Sequence, residues 1–221
     1  MDELVEMFFS LQGMGLHNIN LVSPTPYVPF IAAAINRSKS MGIKIPFVYN
    51  SHAYETVGTL RMLDGLIDIY LPDFKYWNDY SAHRLSHARD YPSFAQRAIL
   101  EMKRQVGNLI IQQGIARKGI LVRHLVLPSN LAGSRQVLEW IKRELGVETY
   151  VSLMAQYNPL HRARDFPMLD RRIKQDEYDS LLDFMVYEGF QNVFIQDLES
   201  AETFVPNFEC EEPFAEQKLK S

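Results

Sequence analysis

Apolar positions recur along the chain with two alternating periods. Residues 2–15 carry Leu4, Val5, Phe8, Phe9 and Leu11 at helical spacing, with Gly15 as a stop. A short apolar run, Ile19-Asn-Leu-Val22, reads as a strand ending in Ser23-Pro-Thr-Pro26. The alternation then continues: helix at 30–40, strand at 46–49, helix at 56–63, and a strand of β-formers (Ile67, Ile69, Tyr70, Leu71) that stops at Pro72. After an excursion from Trp77 to Tyr91, Ala95, Ile99, Met102 and Val106 form the stripe of a helix over 92–106. Gly119 opens a strand over 120–127, 134–145 is helical, 150–154 is a strand, 174–188 is helical, and 192–196 is the last strand.

About six strands alternating with helices predict an α/β fold with a parallel sheet, either a (β/α) barrel or a doubly wound sheet. No composition break divides the chain, so residues 2–205 are expected to form one domain, followed by an acidic tail at 206–221. The chain starts on a helix, which leaves out the strand that a βα repeat would place first. A barrel lacking that strand has an open edge beside the first remaining one.

In such folds the chemistry collects at the C-terminal ends of the strands. Those ends carry Ser23 and Thr25; Asn50, Ser51 and His52; Asp73 and Lys75; Arg123 and His124; Gln156, Tyr157 and Asn158; and Gln196. The set suits a ligand bearing both an ammonium and a carboxylate, with Asp73 for the former and Lys75 or Arg123 for the latter. Plainer readings stand beside it. Asp73 and Lys75 also make sense as a structural ion pair, and Thr25 and Ser51 as loop hydrogen-bonding groups. Arg123 and His124 point to opposite faces, so at most one faces the site. His83, His87 and His161 read as surface residues, and Trp77 and Trp140 as packing.

Composition narrows the function classes. With 221 residues, 47% hydrophobic and 23% charged, the chain is an ordinary globular one, and a net charge of −4 gives no reason to expect nucleic-acid binding. The local basic stretch at 161–174 reads as solvated loop and helix start. An acidic N-terminus and no apolar run near ~20 residues predict a cytoplasmic protein without a signal peptide or membrane span. One cysteine, Cys210, builds neither a disulfide framework nor a cysteine metal cage. G-x-G-x-x-G, P-loop and G-x-S-x-G motifs are absent.

Five blocks in order, His17-Asn-Ile-Asn-Leu-Val-Ser-Pro-Thr-Pro26, Pro46-Phe-Val-Tyr-Asn-Ser-His-Ala-Tyr-Glu55, Ile69-Tyr-Leu-Pro-Asp-Phe-Lys-Tyr-Trp77, Val122-Arg-His-Leu-Val-Leu-Pro128 and Val151-Ser-Leu-Met-Ala-Gln-Tyr-Asn-Pro159, carry a resemblance. Over about residues 3–208 the chain resembles radical S-adenosylmethionine proteins related to pyruvate formate-lyase activating enzyme. That resemblance implies a partial (β/α) barrel missing its first strand here. It implies S-adenosylmethionine as cofactor, cleaved reductively by a [4Fe-4S] cluster to a 5′-deoxyadenosyl radical that abstracts hydrogen. Ser23 and Thr25 fall where the family holds the ligand's amino group, Asp73 and Lys75 beside its methionyl part, Arg123 at a ligand-contacting arginine, and Gln156, Tyr157 and Asn158 at the ribose. Asn50, Ser51 and Asp73 fall at a monovalent-cation site of activating enzymes. Ala53 replaces a usual glycine, which is expected to shift its loop.

The implied partners are a glycyl radical enzyme or a small molecule as substrate, and flavodoxin or ferredoxin as electron donor. The cluster's Cys-x3-Cys-x2-Cys loop would lie upstream of Asp2, and Cys210 alone cannot ligate it. The expectation is a truncated representative, inactive as this chain. Two alternatives remain: a non-catalytic ligand-binding relative, and a Schiff-base lyase using Lys75, against which the neighbouring Asp73 counts by keeping that lysine charged.

Overall fold

The computed structural model describes residues 1–198; the expected acidic tail and Cys210 lie outside them. Among these residues seven helices and seven strands follow in the order α1 (Asp2–Gly13), β1 (Ile19–Val22), α2 (Val28–Ser40), β2 (Phe47–Ser51), α3 (Val57–Arg61), β3 (Ile69–Pro72), α4 (Asp79–Ser86), α5 (Tyr91–Val106), β4 (Ile110–Gln112), β5 (Ile115–Leu125), α6 (Ser134–Leu145), β6 (Tyr150–Met154), α7 (Gln175–Tyr187) and β7 (Val193–Ile195). The sheet runs β1-β2-β3-β5-β6-β7 with every neighbouring pair parallel, and β4 hangs antiparallel on β5. Among the described strands β1 lies at one edge of this sheet, as the sequence implied.

The period of two along each strand sorts the residues onto two unlike faces. Phe47, Tyr49, Tyr70, Ile120, Val122, Val151 and Leu153 are buried with α1, α2, α5, α6 and α7 in the main core. The opposite face holds only a small apolar cluster, Val48, Ile69 and Leu109, with Leu71, Leu121 and Tyr150 packed on it. Asn50 and Arg123 share the parity of Val48 and Leu121, so the sequence alternation delivers them to this thinly covered face. His124, one residue on, points into the main core. Its Nδ1–H donates to Phe74 O at 2.6 Å and its Nε2 accepts from Ser134 Oγ at 2.8 Å. Burial pushes its pKa down to about 4. Trp140 packs edge-on to Phe74, the packing role expected of it.

Two elements escape the sequence pattern. The excursion after Trp77 contains α4, started by Asn78, whose side chain accepts the Ser81 N–H at 2.8 Å. β5 also begins earlier than expected, because Gln113 and Gly114 both take positive φ and turn β4 back onto it. Gly119 therefore does not open β5 but marks where that strand leaves β4 and joins β3, opposite Ile69. Its φ is +119°, and a Cβ there would lie 2.3 Å from Asn108 O. Gly119→Ala is expected to destabilise the protein by about 3 kcal/mol through backbone strain and overpacking, read as a lower urea midpoint at unchanged m-value.

Candidate functional site

The site is built where β2, β3 and β5 end. Pro72 lacks an N–H and closes β3; the next residue, Asp73, donates its N–H to Ser51 O at 2.9 Å, while Phe74 N–H reaches Arg123 O at 2.9 Å. Asp73 is thus pinned between the ends of β2 and β5. Tyr91, at the start of α5, fixes the turn that follows. Its hydroxyl lies 2.7 Å from Asp73 O and 3.0 Å from His52 O and accepts the Lys75 N–H at 2.8 Å. Burial raises the pKa of that phenol, which keeps it a neutral donor.

The side chains converge on the Asp73 carboxylate. Lys75 Nζ stands 2.9 Å from Oδ2, His52 Nδ1 3.4 Å from Oδ2, and Arg123 Nη2 2.6 Å from Oδ1. Arg123 Nη2 also donates to Asn50 Oδ1 at 2.6 Å. Burial alone would raise the pKa of Asp73, but the His52 hydrogen bond and the charges of Lys75 and Arg123 outweigh it and bring it to about 2. The Arg123 Nη2 contact has ion-pair distance without hydrogen-bond angles, so Asp73 Oδ1 is buried without a hydrogen-bond partner; Arg123 Nε, a separate atom, is likewise buried without one. One carboxylate faces two permanent cations, leaving an excess positive charge and spare donors for an anion.

The other expected site residues divide among neighbouring clusters. Ser51 is on the opposite face of β2 from Asn50, buried, and its Oγ accepts the Ala53 N–H at 3.1 Å, the loop role considered for it. Ser51 and Thr25 also stand close enough to the buried Glu55 to influence its carboxyl, which burial raises and which accepts Tyr49 Oη–H at 2.8 Å. This cluster ties the loop after β1 to the loop after β2, together with Ser23, whose N–H donates to Asn50 O at 2.9 Å. Asn50, Ser51 and Asp73 do not converge as a cation site, since the Arg123 guanidinium stands between Asn50 and Asp73. Ala53 adopts φ +56° and is fully buried, a left-handed conformation that glycine takes more easily than alanine.

Gln156 pairs with Gln196 at 3.4 Å, and Tyr157 Oη–H donates to Leu169 O at 2.9 Å. With Asn158 they follow the end of β6. The ligand set drawn from sequence omits three residues that the structure brings in: His52, Tyr91 and Glu55. His52 is legible as a strand-end group. Tyr91 has no local signal, because its partners lie 16 to 39 residues away.

Beside Lys75 opens a cavity of about 390 Å³, lined by His52, Tyr54, Tyr76, Tyr91, Leu125 and Leu127 among others. It falls within the ordinary size range of small-molecule sites, roughly 300–1,000 Å³. Among the described residues no group of three or more His, Cys, Asp or Glu is arranged to hold a metal ion, and no helix is long and apolar enough to cross a membrane.

The one-sided parallel sheet, with its ion-paired cluster at the strand ends, has the α/β fold of a partial (β/α) barrel, and two solved structures share it. A domain of pyruvate-formate lyase-activating enzyme from Bacteroides vulgatus superposes with a TM-score of 0.59 at 9% identity, covering 82% of this chain and 100% of that one. HydG, a maturase of the [FeFe]-hydrogenase, superposes with a TM-score of 0.56 at 12% identity, covering 91% of this chain and 46% of HydG. At these identities the two structures establish the fold. By sequence, an uncharacterized protein of Methanocaldococcus jannaschii is 29% identical over 167 residues, 75% of this chain and 45% of that protein. The chain thus spans about half the length of the curated relative it matches. No family model matches it.

The depressed pKa of Asp73 has a measurable consequence. A folded-state value below the ordinary 3.8 means stability present above that pH and lost as pH falls through about 2. The wild type should exceed Asp73→Asn by about 2 kcal/mol at pH 6, with the difference shrinking between about pH 4 and pH 2. Urea unfolding of both proteins across that range checks it; a difference independent of pH would contradict the ion cluster.

Proposed function

We propose that this chain is the S-adenosylmethionine-binding part of a radical S-adenosylmethionine enzyme. The observation that carries the reading is the Asp73 cluster: a buried carboxylate flanked by Lys75 and Arg123 at the strand ends of that type of barrel. The methionyl end of the ligand bears one ammonium and one carboxylate. Asp73, with an oxygen lacking a hydrogen bond, matches the ammonium; Arg123, with a donor lacking one, matches the carboxylate. Ser23, whose N–H holds Asn50 O at the end of β2, is the group proposed for the ammonium side, while Thr25 supports that loop from the Glu55 cluster. Lys75 offsets the charge of Asp73, and Gln156, Tyr157 and Asn158 line the rim proposed for the ribose. In the resembled family this ligand is the source of a 5′-deoxyadenosyl radical.

The iron–sulfur cluster does not fit these residues. Four-iron clusters are held by several thiolates, and the whole chain has one cysteine. No reductive step is therefore assigned to this chain's own residues; what they do is bind and orient. A glycyl radical enzyme as the protein substrate, and flavodoxin or ferredoxin as the electron donor, belong to the activase version of this proposal. The Schiff-base alternative is disfavoured by the ion pair that engages Lys75 Nζ.

Calorimetric titration with S-adenosylmethionine tests the reading. Asp73→Ala and Arg123→Ala should each weaken binding at least about tenfold, the scale of losing a charge-assisted hydrogen bond. A wild-type chain that does not bind leaves only the scaffold, and the proposal falls. Iron–sulfide reconstitution of the same 221 residues should yield no stable four-iron chromophore in the visible spectrum.

A further inference from the structure

The cavity beside Lys75 has lopsided chemistry. Three tyrosines line it, yet their hydroxyls are already committed. Tyr54 Oη–H donates to Arg89 O at 2.7 Å, Tyr76 Oη pairs with Ser86 Oγ at 2.8 Å, and Tyr91 Oη serves the backbone of Asp73, His52 and Lys75. What these residues turn toward the cavity is ring surface, joined by Leu125, Leu127 and Ala88. Apart from the second proton of the Tyr76–Ser86 hydroxyl pair, polar capacity is concentrated at one end. Lys75 Nζ has three N–H groups and gives one to Asp73, and the His52 ring stands next to it, its Nδ1 turned to the same carboxylate.

We propose that this cavity receives the substrate, and that the substrate is a small organic acid with a planar or branched apolar body, its carboxylate bound by Lys75. The proposal rests on the reading that S-adenosylmethionine occupies the adjoining Asp73–Arg123 cradle. An anion satisfies the remaining lysine donors, and the excess positive charge of the cluster favours it. A flat apolar body matches tyrosine rings and leucine side chains. A sugar or polyol would bury several hydroxyls against walls whose own hydroxyls are taken, at the cost of unpaired polar groups.

The test titrates the whole chain with phenylacetate, 2-phenylethanol and ribose, followed by calorimetry. Phenylacetate should bind at least about tenfold more tightly than 2-phenylethanol, the scale of one charge-assisted hydrogen bond, and ribose should not bind measurably. In Lys75→Met, which keeps the stem and removes the charge, the acid-over-alcohol ratio should fall to about one; being a ratio, it is insensitive to a modest loss of folded protein. Ala88→Trp, at a wall residue outside the Asp73–Arg123 pair, fills the cavity and should lose phenylacetate while keeping S-adenosylmethionine. Equal binding of acid and alcohol by the wild type, or an unchanged ratio in Lys75→Met, overturns the proposal. So does loss of S-adenosylmethionine binding in a folded Ala88→Trp, which would assign the cavity to the cofactor. A wild-type chain that takes phenylacetate but not S-adenosylmethionine supports the acid site and overturns only the cofactor reading.

Discussion

A carboxylate withdrawn from water and held between two cations is the constraint around which this molecule's upper surface is arranged. Asp73 ionises in a buried position only because Lys75, Arg123 and His52 stand within reach of its oxygens. Removing one partner would leave an uncompensated buried charge, which costs far more than a surface pair is worth. That requirement fixes the relative heights of three strands. Asn50 must end level with Asp73, and Arg123 must cross from β5 to meet both, which the parallel registers of β2, β3 and β5 provide.

Beneath this cluster the packing is asymmetric. Helices cover one face of the sheet and bury its aromatic and branched residues, whereas the other face has a small apolar patch and then polar groups. A sheet dry on both faces would carry a continuous apolar run along β5 and leave no place for Arg123. The alternation Leu121, Arg123, Leu125 against Ile120, Val122, His124 reports the difference directly. His124 is the one polar residue of its set turned inward, and it is admitted because both ring nitrogens are satisfied.

The loops above the strands are held by a second polar cluster that does not face the cradle. Glu55 gathers Tyr49, Ser51 and Thr25 behind the sheet, and Tyr91 does the same for the backbone around Asp73. These residues set the positions of the groups in front of them. Ala53 illustrates the strength of that hold: it stays in the left-handed region, which an alanine disfavours by roughly 1–2 kcal/mol.

The elements and the strand-end chemistry were legible in the sequence, because hydrophobic period and Pro, Gly and Asn signals act within a few residues of one another. Ile19–Val22, Ser134–Leu145 and Tyr150–Met154 fall where the pattern put them. β4 was not anticipated, since its three residues are exposed and its only mark is a Gln-Gly turn. α4 was hidden in a segment of mixed period. For the site, the sequence determined which polar residues end each strand. Only the tertiary structure decided that Asn50, Asp73, Lys75 and Arg123 meet, that Ser51 and Thr25 turn away toward Glu55, and that Tyr91 supports the whole. Those outcomes depend on strand register and on contacts across 16 to 73 residues, distances over which local periodicity carries no information.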